Sequence, residues 1–254
     1  MKSLIPFLTL IEREYYRFAR LAAQTIAPPI IMTLLFVVIF GYSLGQGIQT
    51  VLGLPYIVYI LPGLAGMGVI TNSYSNSSTS LFMARIDRSI ENIVVAPIAP
   101  IKIALAFVIG GVTRGVAVGG VTLLVASLLT DLAFHHLLLM VVLLLALATT
   151  FSSLGIVSAL WAEDWDHLAT FSNFFITPMI YLGGVFYSIA TLPPLWQKVS
   201  YANPMLYLID GFRFSVLGVS DLSPILTIGI SVGLAAVAFS LAVWLFRVGY
   251  KIIV

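Results

Sequence analysis

The stretch LAAQTIAPPIIMTLLFVVIFGYSLGQGIQTVLGLPYIVYILPGLAGMGVITNSYSNSSTSLFMA, residues 21–84, runs for 64 residues without a charged side chain. A membrane-spanning helix needs about 20 predominantly apolar residues, so this run is too long for one span. Turn-forming residues interrupt it at Gly45-Gln46-Gly47 and at Pro55. The stretch therefore predicts two spanning helices, at about 23–45 and 56–82.

The rest of the chain is similarly apolar. Of its 254 residues, 60% are hydrophobic and 9% are charged, whereas soluble domains carry about 25% charged residues. A water-soluble fold could not cover so much apolar surface, so the bilayer must be part of the solvent. We expect an all-α membrane protein with a single domain over residues 1–254. Its six transmembrane helices include four more spans, at about 103–129, 137–161, 168–187 and 224–246.

Residues 2–20, before the first span, have an amphipathic pattern. One helical face carries the apolar residues Leu4, Leu8, Ile11, Tyr15 and Phe18, and another carries Arg13, Arg17 and Arg20. Such a helix lies in the membrane interface. The pattern alone leaves open whether this interface helix only anchors the chain or also contacts a partner.

The segment between the fifth and sixth spans, residues 188–222, differs from a span. Its apolar pieces are too short to cross a bilayer, and Pro193-Pro194, Asn203-Pro204 and Gly211 interrupt them. Short apolar helices with such breaks indicate a re-entrant or interfacial pair. Asp210 and Arg213 lie at helical spacing and could form an ion pair there. They are candidates for an outer gate, with a plain structural cap as the alternative.

Lysine and arginine are unevenly distributed about the predicted spans. Nine lie in the N-terminal segment, the 83–102 loop and the C-terminal segment, and only Lys198 and Arg213 lie on the opposite side. Cytoplasmic loops are enriched in these cations. We therefore expect both termini to be cytoplasmic and residues 188–222 to face outward.

The sequence lacks the residue patterns needed to bind ATP phosphates, to drive transport with ions or to hold a metal. None of the four lysines follows a glycine, so a Gly-Lys-Ser/Thr phosphate loop is absent from the sequence. Every Asp and Glu lies in a predicted loop or near a span end, whereas ion-driven carriers usually keep carboxylates at mid-depth. The chain has no cysteine, and His135, His136 and His167 lack metal-ligand spacing. These features predict no metal site and an energy source in another chain.

Two polar features fall within predicted spans. Thr71–Ser80, including Asn72 and Asn76, consists entirely of hydroxyl and amide residues. These groups need polar partners in lipid, so they either line a passage or hydrogen-bond between helices. Arg114 costs on the order of 2.5–3.5 kcal/mol to insert unless it is paired or hydrated. It is a candidate cargo contact, with a structural ion pair as the alternative.

A glycine ridge adjoins Arg114. Gly111, Gly115 and Gly119 recur at four-residue spacing. Small residues at this spacing allow two membrane helices to approach closely. We therefore expect tight helix packing along this face.

The segment Ala84–Pro100 is charged at first and apolar afterwards. Arg85, Asp87, Arg88 and Glu91 precede Ile93-Val94-Val95, and prolines follow. This order predicts a short helix along the membrane that stops before Pro97. From the charge spacing alone, we expect this segment to be a solvent-exposed helix within a loop.

In combination, these motifs resemble the type-2 ABC transporter permeases, the membrane subunits of bacterial exporters, and their YadH-like inner-membrane branch in particular. The resemblance covers essentially the whole chain. It rests on Leu61-Pro62-Gly63, Arg88-x-x-Glu91 with Ala96-Pro97, Gly110-Gly111 with Arg114-Gly115, Thr177-Pro178, Gly183-Gly184-Val185-Phe186-Tyr187, Leu192-Pro193-Pro194, Asn203-Pro204 and Gly211-Phe212-Arg213. The chain departs from the family at Ser89-Ile90, where Gly-Thr is common.

The resemblance implies a homodimer in the bacterial inner membrane that binds two copies of a cytoplasmic ABC ATPase. ATP and Mg²⁺ would be held by that partner, with no cofactor and no enzymatic activity in this chain and no nucleic acid involved. A coupling helix would map to Arg85–Val95, with Arg85, Asp87, Arg88 and Glu91 at the ATPase. Outer helices would map to 193–217. Candidate cargoes are lipid-linked polysaccharides, drugs and lipid-like molecules.

Two other functions remain open from the sequence. An ATP-independent secondary carrier or channel would transport without the partner. A membrane enzyme acting on lipids would need convergent catalytic groups, for which Asp210, Arg213 and His167 are candidates. The predicted topology places His167 on the opposite side from the other two, which argues against the enzyme.

Overall fold

The computed structural model describes residues 4–20, 22–43 and 50–252, without the side chains of 41–43. In this part the fold is all-α apart from one small antiparallel hairpin, in which Thr50 pairs with Pro55. In chain order the elements are α1 (Leu4–Arg20), α2 (Ala22–Phe36, continued as a π-helix over Val37–Ser43), β1 (Thr50–Val51), β2 (Leu54–Pro55), α3 (Tyr56–Ile86), α4 (Ser89–Val95), α5 (Pro100–Leu129), α6 (Leu137–Trp161), α7 (Trp165–Phe171, continued as a π-helix over Ser172–Ile176), α8 (Thr177–Leu182), a 3₁₀ turn (Ile189–Thr191), α9 (Pro194–Ala202), α10 (Pro204–Leu217) and α11 (Pro224–Val248).

Five helices among the described residues are long and apolar enough to cross a membrane. They are Ala22–Phe40, Tyr56–Ile86, Pro100–Leu129, Leu137–Trp161 and Pro224–Val248. The chain is therefore an all-α membrane protein. The predicted turn at Gly45-Gln46-Gly47 lies outside the described residues.

The predicted span at 168–187 differs from the helix found there. Helical structure begins at Trp165, passes through the π-helix and ends at Leu182. Gly183 and Gly184 then turn the chain, and Gly184 adopts φ +76°, a conformation that ends a helix. The predicted end at residue 187 is thus corrected to Leu182.

Helix α3 lies at the centre of the fold. It packs along both α5 and α6, and 72% of its most apolar 18-residue window is buried, whereas for α2 the buried share is 11%. This burial explains how α3 carries so many polar residues, because protein rather than lipid surrounds them. Helix α2 instead presents its apolar side chains outward.

The glycine ridge on α5 makes the predicted close contact with α3. A Cβ atom on Gly115 would overlap Ser73 Oγ, and one on Gly119 would lie 2.5 Å from Val69 Cγ2. Gly155 on α6 is equally close to α3, with a Cβ position 2.6 Å from the Tyr74 carbonyl oxygen. The prediction of tight packing along this ridge is confirmed.

Candidate functional site

Helix α1 packs lengthwise along the first half of α5. The Phe7 ring lies 5.9 Å from Lys102 Nζ, and the Arg13 guanidinium lies 5.8 Å from the Phe107 ring centre. Farther along both helices, a Cβ on Gly110 would lie 2.9 Å from the Glu14 Cβ. The contacts advance in the same direction on both helices, so α1 and α5 run side by side.

The face that α1 buries is not its most apolar face. Leu10 and Glu14 are buried, whereas Leu4, Leu8 and Tyr15 are each more than half exposed. The amphipathic pattern thus marks the surface that α1 presents outward, which is the surface a lipid interface would cover.

Glu14 is the centre of the contact between α1 and α3. It is fully buried and accepts a hydrogen bond from Ser80 Oγ, at 2.7 Å to Oε2. Arg17 Nη2 lies 3.2 Å from the same carboxylate, and Arg13 Nη2 lies 3.3 Å from it. A buried carboxylate is tolerated only when it is paired and hydrogen-bonded in this way. Sequence reasoning missed Glu14, although its spacing of four from Leu10 and three from Arg17 places all three on one helical face.

We call Glu14, Arg17, Asn72, Asn76, Ser80 and Arg114 the polar seam, because these residues join α1, α3 and α5. The polar stretch Thr71–Ser80 contributes to it in two ways. Most of the stretch is buried within protein, including Asn76 and Ser80. Thr71 and Asn72 instead line a cavity. Interhelical packing thus accounts for most of the stretch, and only the end near Asn72 adjoins open space.

Asn76 connects α3 to α1. Its backbone carbonyl accepts a hydrogen bond of 2.9 Å from Arg17 Nη2. The side chain is 1% exposed, and its Nδ2 has no hydrogen-bond partner, nor has the buried Nε of Arg17. Asn76 does not line the cavity. The seam therefore contains buried donors without acceptors.

Arg114 projects from α5 toward α3, where its Nε donates to Asn72 Oδ1 at 3.3 Å. The guanidinium is half-buried. Among the ion pairs of the described ranges, none includes Arg114. Two of the three predicted path residues, Asn72 and Arg114, are thus brought together, and the partner of Arg114 is an amide rather than a carboxylate.

The cavity beside Asn72 has a volume of about 200 Å³. Pro28, Met32 and Phe36 of α2 form one wall. Thr71 of α3 and Thr122 of α5 add hydroxyl groups. The lining is therefore mainly apolar, with a few polar groups. One of these is Asn72, whose side chain accepts a hydrogen bond from Arg114.

Arg85 lies in the last turn of α3, not in the short helix that follows. It is 5% exposed, and its Nη1 donates to the carbonyl oxygens of Ala159 and Ala162 at the end of α6. Cations at helix C-termini satisfy the free carbonyl groups there. The prediction that Arg85 begins the surface helix is corrected: that helix begins at Ser89, and Arg85 ties α3 to α6.

The other three residues of the predicted coupling segment are exposed. Asp87 Oδ1 accepts a hydrogen bond of 2.9 Å from the Ser89 backbone N–H, and hydrogen bonds from Ser89 hold the pKa of Asp87 below its ordinary value. Arg88 adopts φ +58°, an uncommon conformation for a residue with a side chain. Arg88 and Glu91 form no ion pair with each other among the described residues.

Helix α4 is fixed by its apolar side. Ile90 and Ile93 are buried, whereas Glu91, Val94 and Val95 are exposed. The helix thus presents a mixed charged and apolar surface outward. Its position is set by contacts with the end of α3.

The acidic turn between α6 and α7 lies beside the C-terminal segment. Glu163 Oε1 accepts a hydrogen bond of 2.8 Å from Lys251 Nζ, which holds the pKa of Glu163 below its ordinary value. Asp164 caps α7 by accepting from the His167 backbone N–H at 2.7 Å. No group of metal-ligating residues occurs in the described part of the chain.

The predicted pair of Asp210 and Arg213 is present. Arg213 Nη1 lies 3.4 Å from Asp210 Oδ1, and both side chains are fully buried. The Arg213 guanidinium stacks 4.1 Å from the Tyr59 ring centre and donates to the Gly184 carbonyl oxygen. Asp210 also accepts from the backbone N–H groups of Asp221 and Leu222, each at 3.0 Å.

Asp221 completes this arrangement and was not predicted. Its Oδ2 accepts from Tyr59 Oη at 3.1 Å, and its Oδ1 accepts from Ser188 Oγ. We call Tyr59, Asp210, Arg213 and Asp221 the outer cluster. Its hydrogen bonds join α3 and α10 to the turns that contain Ser188 and Asp221.

Comparison with known proteins identifies one matching family and several similar proteins. Residues 6–217 match the profile of the ABC-2 type transporter family. The chain is 38% identical over 232 residues to the inner membrane transport permease YadH of Escherichia coli (strain K12), covering 91% of this chain and 90% of that protein. It is 24% identical over 241 residues to nodulation protein J of Rhizobium meliloti (strain 1021), covering 93% and 90%.

Proposed function

Because this chain belongs to the ABC-2 type transporter family, we propose that it is the transmembrane subunit of an ATP-driven exporter. It is a transport permease with several membrane-spanning helices, related to an inner-membrane protein. In the proposal it forms a homodimer in the bacterial inner membrane and binds two copies of a separate cytoplasmic ATPase, which holds ATP and Mg²⁺. Its cargo is a lipid-linked polysaccharide, a drug or a lipid-like molecule.

The proposed topology has six spans with both termini in the cytoplasm. The fifth span is the continuous helical segment from Trp165 to Leu182, which is shorter and more polar than the other five. Helix α1 is the interface helix, supported by its outward apolar face. Helices α9 and α10 form the re-entrant pair on the outer side.

The observation that carries the proposal is the arrangement around α4. This helix exposes Arg88 and Glu91 but is fixed from beneath by Ile90 and Ile93. It follows α3 directly, and Arg85 at the end of α3 is hydrogen-bonded to the end of α6. A displacement of α4 by a partner would therefore be transmitted to two central helices.

The proposed mechanism alternates access to a path next to Asn72 and Arg114. ATP-driven closure of the two ATPases would shift α4 and with it α3, whose close contact with α5 leaves little freedom for the two to move separately. Rigid movement of packed helices between two arrangements is the usual form of such transitions. The outer cluster would hold the outer end of α3 to α10 during this motion.

Glu91→Arg tests the docking surface. The substitution reverses an exposed charge on α4 without disturbing buried groups, so we expect the protein to reach the membrane at normal levels. ATP hydrolysis coupled to transport in the reconstituted complex should be lost. Glu12→Arg, which reverses an exposed charge on α1, is the matched control and should leave coupling unchanged. Normal coupling in the Glu91→Arg variant would show that α4 is not part of the docking surface.

A carrier independent of ATP is distinguished by transport itself. The permease alone, reconstituted in liposomes, should show no cargo flux without the ATPase and ATP. Sustained flux in its absence would favour the carrier or channel and overturn the exporter.

A further inference from the structure

The cations of the polar seam exceed the carboxylates available to balance them. The seam contains two cations, Arg17 and Arg114, and one carboxylate, Glu14. Glu14 is already engaged by Arg13, Arg17 and Ser80. Arg114 therefore has no anion of its own in the described part of the chain.

The surroundings of Arg114 increase this imbalance. Its hydrogen-bond acceptor is the neutral Asn72 side chain, and the nearby charge that acts on it is the like charge of Arg17. A half-buried cation in a membrane protein needs a partner of opposite charge. An anion with several acceptor oxygens beside Arg114 would supply it.

The depth of the seam indicates where this anion comes from. In the proposed orientation the outer ends of α3 and α5 are Tyr56 and Leu129. Counting about 20 residues inward from them places the inner edge of the hydrocarbon near Ser75 and Gly110. Arg114 thus lies about one helical turn inside that edge, within reach of the level of lipid headgroups for a long side chain.

The cavity supplies a place for an acyl chain. It lies beyond Asn72, on the side toward the outer ends of α3 and α5, and Met32, Phe36 and Leu64 are part of its apolar lining. The cations lie at its inner end. Apolar space that begins at a cationic cluster near the headgroup level matches an amphiphile with a phosphate head.

We propose that the polar seam and this cavity bind one anionic phospholipid of the cytoplasmic leaflet. Its phosphate lies between Arg114 and Arg17, and one acyl chain enters the cavity between α2, α3 and α5. The site links α1 to the bundle through a lipid. The inference rests on the proposed membrane orientation but not on the ATPase partner.

Thermal unfolding of the purified detergent-solubilised protein tests the site. Added dioleoylphosphatidylglycerol should raise Tm of the wild-type chain by roughly 5–10 °C at saturating lipid. Dioleoylphosphatidylcholine and inorganic phosphate should each give little shift, since one lacks net negative charge and the other lacks the acyl chain. Arg114→Gln should abolish the phosphatidylglycerol shift, and Arg114→Lys should retain most of it.

Arg247→Gln provides the control for unspecific attraction between lipid and protein. Arg247 is an exposed cation in the last turn of α11, so its variant should keep the full shift. Equal shifts in Arg114→Gln and wild type, or equal shifts with the two lipids, would overturn the site. An equal shift with inorganic phosphate would overturn the lipid as its source. Because no ATPase is present, failure here leaves the exporter assignment intact, and failure of Glu91→Arg to uncouple leaves this site intact.

Discussion

Glu14 is the residue on which the contact of α1 with the bundle depends. Its carboxylate is fully buried between Ser80 and Arg17. Removing this carboxylate costs less than the roughly 3–5 kcal/mol of a fully buried pair, because the Arg17 and Arg13 charges left behind are partly exposed. Together with the hydrogen bond from Arg17 to the Asn76 carbonyl, this side chain fastens α1 to α3 near Ser80.

Glu14→Ala should therefore destabilise the protein. We expect a clear fall in Tm of the detergent-solubilised chain and greater protease sensitivity of α1, because Arg17 loses its carboxylate. The control is Glu12→Ala, which removes an exposed carboxylate two residues away and should change Tm little. Similar small shifts in both variants would contradict the role assigned to Glu14.

Helices α3 and α5 depend on glycine for their close approach. A Cβ on Gly115 would overlap Ser73 Oγ, whereas a Cβ on Gly120, five residues later on the same helix, has no atom within 4 Å. Alanine has a higher helix propensity than glycine by roughly 0.5–1 kcal/mol. The same substitution should thus have opposite effects at the two positions.

Gly115→Ala should lower stability by about 1–3 kcal/mol through overpacking, and Gly120→Ala should be neutral or slightly stabilising. Unfolding of both variants in mixed detergent micelles with increasing sodium dodecyl sulfate measures the difference. If Gly115→Ala is as stable as Gly120→Ala, α3 and α5 are not in the close contact described.

The helices were largely predictable because the length of an apolar run directly indicates the length of a membrane span. The helix Leu137–Trp161 occupies the range expected for it, and the glycine spacing on α5 correctly indicated close packing. The pair Gly183-Gly184 signals a turn at the end of α8, but the contact that holds this turn, from Arg213 to the Gly184 carbonyl, was not predictable. Such tertiary contacts leave no periodic signal in the sequence.

The polar residues were harder to predict for a related reason. Asp210 and Arg213 were found by their spacing within one helix. Glu14 and Asp221 have partners on other elements, and those pairings depend on the packing of the whole fold. Arg85 was assigned to the wrong helix because its charge was read as exposure, whereas its guanidinium caps the end of α6.

At the scale of the whole molecule, much apolar surface of the bundle remains uncovered. Only 11% of the most apolar 18-residue part of α2 is buried within the chain. Phe174 and Phe175 are also exposed. Lipid or a second copy must cover these surfaces in the membrane. The charged and apolar surface of α4 likewise lies open, at the end of the bundle where the cytoplasmic ATPase is proposed to bind.

We propose that this permease works as a pair with two ATPase subunits. The most direct test is purification of the tagged chain from its native membrane in mild detergent, together with proteins encoded beside it, followed by particle mass and ATPase activity. We predict a stable complex of two copies of this 27.5 kDa chain with two ATP-binding subunits that hydrolyses ATP. A lone oligomer of the chain, without an ATP-binding partner and without ATPase activity, would contradict the account.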